Sequence, residues 1–114
     1  MSYSGIIWNI VNAPTNISPN CGYISNQPGT INFYLPTQCN IGDMIYIATQ
    51  GQSSIAEWLI NQNAGQQIFS GASASTPGVS GGLYNNNQWD SVILVCVTAN
   101  TQFAVLGGTG ASTY

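Results

Sequence analysis

Three carboxylates and three thiols are the residues of this 114-residue chain best suited to chemistry: Asp43, Glu57 and Asp90, and Cys21, Cys39 and Cys96. Two carboxylates at a suitable separation can hydrolyse a glycosidic bond. Asp43, however, follows Gly42 in a turn, and Asp90 opens a strand after one. Both are ordinary places for an aspartate that shapes a turn. Glu57 alone has no evident turn role. Calcium at Asp43 or Asp90 would lack any recognisable loop motif. The cysteines fit neither a metal-binding spacing nor a CxxC redox motif. They read as buried small hydrophobes, or as one disulfide with a third thiol left for an intermolecular bond; the pairing stays open. Cys96 falls mid-strand and is expected inside, whereas Cys21 falls in a turn and is expected to be the most exposed. The expectation is no enzyme, no metal and no cofactor.

The chain has no lysine, arginine or histidine, and its net charge is −3. Phosphate backbones are held by Lys and Arg, so no nucleic-acid partner is expected. No Ser-His-Asp or Cys-His site and no lysine Schiff base can be built. Asn, Gln, Ser and Thr together supply 43 residues, and 44% of the chain is hydrophobic. A surface of amides and hydroxyls with so little charge favours association over dispersal. The first residues carry no basic region ahead of an apolar run, so no signal peptide is recognised. No apolar stretch nears the ~20 residues that would insert in a membrane.

The elements that must position these residues read as strands. Runs rich in Ile, Val, Tyr and Phe alternate with clusters of Gly, Pro, Asn and Ser. Residues 6–11 form the first run, closed by Asn12-Ala13-Pro14. Ile31, Phe33 and Leu35 alternate onto one face. Residues 91–97 are apolar on both faces and read as a central strand. Their zipper-like, uncharged pattern is read as a protected strand and not as an amyloid segment. Asn100-Thr101 turns the chain into an antiparallel return over residues 102–106. Residues 70–82 form the long loop. The expectation is all-β: an antiparallel β-sandwich, jelly-roll-like, with about eight short strands. Residues 1–13 make an N-terminal strand open to donation to a neighbouring subunit. Residues 14–106 make the module, and residues 107–114 a loose Gly/Thr/Ser-rich tail.

Four stretches together resemble a repeat of bacteriophage tail-fibre proteins and related bacterial surface proteins. They are Leu35-Pro36-Thr37-Gln38-Cys39-Asn40-Ile41-Gly42-Asp43; the run from Trp58 to Ile68 with Gln62-Asn63-Ala64-Gly65-Gln66 at its centre; Gly81-Gly82-Leu83; and the run from Asp90 to Phe103 with Val97-Thr98-Ala99-Asn100-Thr101 inside it. The match runs from about Gly22 to Val105, and the chain departs from the pattern in lacking every basic residue. The resemblance implies a β-rich, homo-oligomeric fibre module outside a cell or on a virion surface. It brings no catalytic residues.

Residues and resemblance lead to one expectation: a self-assembling structural subunit of an extracellular filament, partnered by itself as trimer or filament. Ile6, Ile7, Trp8, Ile10 and Val11 are the expected assembly interface, offered as an uncharged strand. The alternative is a receptor- or glycan-binding module at a fibre tip. There, Tyr84, Asn86 and Trp89 would meet a cell-surface glycan, aromatic rings stacking on sugar faces and amides bonding hydroxyls.

Overall fold

The structure, a computed structural model, describes residues 6–26, 29–50, 58–108 and 110–114. It is all-β, with two packed sheets and twelve strands among the described residues. The strands are β1 (Ile7–Val11), β2 (Thr15–Asn16), β3 (Cys21–Ser25), β4 (Ile31–Tyr34), β5 (Met44–Thr49), β6 (Trp58–Asn61), β7 (Gln67–Ser70), β8 (Ser73–Ala74), β9 (Gly82–Tyr84), β10 (Val92–Thr98), β11 (Gln102–Gly108) and β12 (Ser112–Thr113). One sheet runs β1-β3-β5-β10-β11-β7-β8, the other β12-β9-β6-β4-β2.

The two sheets are mixed, not purely antiparallel as expected from the sequence. From β1 to β6 the chain places alternate strands in alternate sheets. Consecutive strands are therefore not neighbours. β1, β3 and β5 pair in parallel on one side, and β2, β4 and β6 in parallel on the other. The first half is thus a flattened coil, each turn laying one strand in each layer. Parallel neighbours need a crossover, and here the strand in the opposite sheet supplies it. Antiparallel pairing belongs to the second half: β7 with β8, β9 with β6 and β12, and the β10–β11 hairpin, which docks on β5. The count exceeds eight because two-residue strands lie inside segments that read as loop or tail.

Alternation decides the inner faces. Ile31 and Phe33 of β4, Ile45 and Ile47 of β5, and Val92, Leu94 and Cys96 of β10 are buried between the sheets. Trp58 and Ile60 of β6, Leu83 of β9 and Phe103 of β11 belong to the same core, with Ile17, Tyr23, Leu35, Cys39 and Ile68. β10 is central, flanked by β5 and β11, as its apolar run implies. The long loop is ordered by β8 and a short 3-10 turn over Gly78–Ser80.

The tail, expected loose, is held by its own chain. Tyr114 exchanges backbone hydrogen bonds with Gly82, at 3.0 Å and 3.2 Å, and its carbonyl accepts from Thr76 N–H at 2.9 Å. Glycine is needed at 82, since a Cβ there would collide with the Ile60 carbonyl and stand 2.6 Å from the Tyr114 hydroxyl.

Candidate functional site

The residues carried by the sequence motifs meet at one end of the sandwich, where they build structure. Gln62 Nε2 shares its hydrogens among the carbonyls of Gln66 (2.8 Å), Thr76 (2.9 Å) and Gly78 (2.8 Å). Its Oε1 accepts from the Ser75 hydroxyl, and Ser75 Oγ accepts from Ile68 N–H at 2.9 Å. Gln66 Oε1 accepts from Asn63 N–H at 2.8 Å, and Asn63 donates its amide to the Leu35 carbonyl at 2.8 Å. Asn100, with φ 67°, accepts on its side-chain oxygen from Cys39 N–H at 2.8 Å. Gln62, Gln66 and Ser75 are all buried. Buried amides of this kind must be paired, and these are, by carbonyls from four connecting segments. Sequence reading singled out these stretches but assigned them no role.

The two described carboxylates are turn formers. Asp90, 5% exposed, accepts from Asn86 and Asn87 N–H at 2.8 Å and 2.9 Å. Its own carbonyl accepts from the Trp58 indole N–H at 3.1 Å. Asp43 accepts from Asn40 N–H at 2.8 Å and from the Asn20 amide at 3.1 Å. Glu57 lies outside the described residues. Among the described residues, no group of three or more His, Cys, Asp or Glu side chains gathers as a metal site would.

The glycan candidates each have neighbours within the chain. The Tyr84 ring packs on Tyr114, with centroids 5.8 Å apart. Asn86 donates its amide to Ser112 Oγ at 2.8 Å and to the Gly110 carbonyl. Trp89 is 64% exposed and borders a shallow cleft with Ile24, Ala48, Thr49 and Gln50. Its cleft neighbours come from β3, β5 and the residue after β5.

The unusual surface is the outer face of the seven-stranded sheet. Strand register lays Trp8, Gly22, Tyr46, Ile93 and Gly107 side by side across β1, β3, β5, β10 and β11. A second row is Ile10, Ile24 and Ala48; a third is Met44, Val95, Ala104 and Phe69. No charged or amide side chain stands in these rows, although none of their residues but Gly22, which lies beneath the Trp8 ring, is buried. The glycine at 22 belongs to this face. A Cβ there would stand 2.6 Å from the Trp8 ring, so its absence lets the indole lie across β3. The indole meets Tyr46 edge-on, with centroids 5.9 Å apart.

β1 is the edge strand beside that face. Ile7 and Ile10 are 68% and 62% exposed and Trp8 is 48% exposed, while Ile6 and Val11 are half-buried. Val11 alone of these packs against the core. The sequence suggests residues 6–11 as an uncharged strand open to donation; in the structure Ile7–Val11 form the edge strand β1, paired in parallel with β3 of the same chain. The sequence reading missed the outer face, because alternation was followed only for the inward residues.

Cys39 and Cys96 are buried, and their sulfurs stand 2.9 Å apart. Cys21 opens β3, half-buried and packed on the core's margin, and is the most exposed of the three. Burial first, then the Cys96 sulfur, pushes the Cys39 thiol up from 9.0 to about 12.

No model of a known protein family matches the chain, and no curated protein matches it.

Proposed function

We propose that the chain is a self-assembling structural subunit, joined to copies of itself through the outer face of its seven-stranded sheet and the adjoining edge strand β1. The observation that carries this reading is the apolar outer face. An antiparallel or mixed sheet exposed to water normally turns polar residues outward. Here three consecutive rows are hydrocarbon, aromatic or glycine. A contiguous apolar surface of this kind marks an interaction site. A second copy suits it because neither partner would bury an unpaired charge: the whole chain has three acidic residues and no basic one.

β1 extends the same surface. It offers an uncharged edge without the lysine that commonly blocks pairing. Its hinge, Asn12-Ala13-Pro14, would let β1 take the equivalent place beside β3 of a neighbour, an exchange of identical elements. The two sheet edges, β1 and β8, differ; β1 of one copy laid on β8 of the next would be a head-to-tail contact, which gives a filament when its rotation does not close. The motif resemblance to tail-fibre repeats points the same way, to a fibre outside a cell or on a virion. Trp89 borders Ile24 and Ala48 of the outer face, so it extends the assembly surface better than it serves a separate glycan patch with Tyr84 and Asn86.

Negative-stain microscopy and light scattering of the purified chain test this. Filaments or a discrete oligomer are expected, lost when Ile10 and Ile93 are both replaced by Lys. A monodisperse monomer at high concentration would overturn the reading.

A further inference from the structure

We propose that Cys39 and Cys96 close an intramolecular disulfide that fastens the loop between β4 and β5 to the central strand β10, leaving Cys21 as the free thiol. The sulfurs are 2.9 Å apart, against the ~2.05 Å of a formed bond. Two cysteines usually fail to bridge because their backbones are apart or free to drift. Here both backbones are pinned. Cys39 N–H donates to Asn100 Oδ1 at 2.8 Å, and Asn100 N–H donates to the Cys39 carbonyl at 3.2 Å. Further along the same loop, Gly42 N–H donates to the Cys96 carbonyl at 2.8 Å, and Cys96 N–H to the Asp43 carbonyl at 2.8 Å. The loop is thus stitched to β10 and to the turn that follows it, and the bond forms with little movement. Cys21 has no sulfur partner among the described residues.

Cys39 is the less enclosed of the pair. A surface pocket is lined by Pro19, Gln38, Cys39, Asn40, Asp43 and Asn100, and Cys39 is 6% exposed against 1% for Cys96. Cys39 is therefore the sulfur that meets an oxidant. With a small disulfide such as oxidised glutathione, the Cys39 thiolate attacks one sulfur and releases one glutathione thiolate. The Cys96 sulfur, losing its proton, then displaces the second glutathione and closes the protein disulfide. Two protein thiols and one oxidised glutathione become one protein disulfide and two reduced glutathiones. The reactive species is the thiolate. With the Cys39 thiol pushed up to about 12, the uncatalysed step is slow at neutral pH and quickens in alkali. The inference stands on the sulfur geometry and is independent of the assembly reading.

The test is direct. The full chain is incubated with oxidised glutathione at mildly alkaline pH, denatured, blocked with N-ethylmaleimide and weighed intact. One thiol per chain, Cys21, is expected to carry maleimide or glutathione, with a chymotryptic fragment joining the Cys39 and Cys96 peptides. Three blocked thiols with no bridge, a lasting glutathione adduct on Cys39 or Cys96, or a bridge that includes Cys21 would overturn the proposal. Oxidation should raise the melting temperature by upwards of about 10 °C, given the long segment enclosed. Cys96→Ser should abolish that difference between reduced and oxidised samples. Should that variant fail to fold, the mass measurement on the unaltered chain decides alone.

Discussion

Gln66, buried at the end of the sandwich, donates its side-chain amide to the backbone carbonyl of Asn100 at 3.1 Å, and with the same nitrogen to Pro36 at 2.7 Å. One side chain therefore ties the β10–β11 hairpin to the loop after β4. Gln66→Leu keeps the volume and removes every bond. The Pro36 and Asn100 carbonyls and the Asn63 N–H would then be left without that partner. A loss of about 2–4 kcal/mol is expected, since stranded buried groups cost more than a net hydrogen bond is worth. Urea unfolding measures it. A loss below about 0.5 kcal/mol would mean that water replaces the amide.

Gly22 and Trp8 make a second such pair, on the outer face. Gly22→Ala puts a methyl where the indole lies. The ring must swing off β3 and lose its contact with Tyr46. In a Trp89→Phe background, acrylamide quenching of tryptophan emission should rise, because Trp58 is fully buried and Trp8 is then the accessible indole. Unchanged quenching would show that the ring already lies elsewhere.

Much of the fold was legible because inward alternation is a local property. Ile31, Phe33 and Leu35 all turn inward, and the both-faces-apolar run at 91–97 is the central strand. Pairing parity was not legible. Whether β3 lies beside β1 or beside β4 depends on the sheet to which each strand returns, and no short window carries that. Turn chemistry at Asp43, Asp90 and Asn100 was read correctly, since each residue bonds its near neighbours or reverses the chain. The Cys39–Cys96 contact joins residues far apart in the chain, and spacing could not single it out from the other pairings. Outward residues such as Tyr46 and Ile93 join into one surface only once register is known.

The reduced chain should weaken in alkali. The folded state holds the Cys39 proton up to about 12, while the unfolded chain releases it from 9.0 upward. The unfolded state therefore binds fewer protons than the folded one between those values. Stability is full below about pH 9 and falls as pH rises towards 12. Burial likewise raises the Tyr114 hydroxyl above its ordinary value of 10.0, which adds to the same decline and loosens β12. Denaturant midpoints across the alkaline range check this. The oxidised chain, if Cys39 is in a disulfide, should lose the cysteine part of the decline and keep the tyrosine part.

Assembly, by contrast, should be indifferent to mild acid. The chain has no histidine, the side chain whose charge ordinarily changes between about pH 5 and 8. The outer-face rows hold no carboxylate either. An interface of Trp8, Ile10, Tyr46, Ile93 and Val95 would instead respond to the strength of the hydrophobic effect. Moderate sulfate should strengthen it and urea weaken it at concentrations below unfolding. Light scattering across pH and salt distinguishes the two kinds of interface. A sharp loss of oligomer within that pH range would place a titrating contact in the interface and count against an apolar face as its seat. A gain with sulfate that vanishes in the Ile10→Lys, Ile93→Lys double variant would tie the response to those two residues.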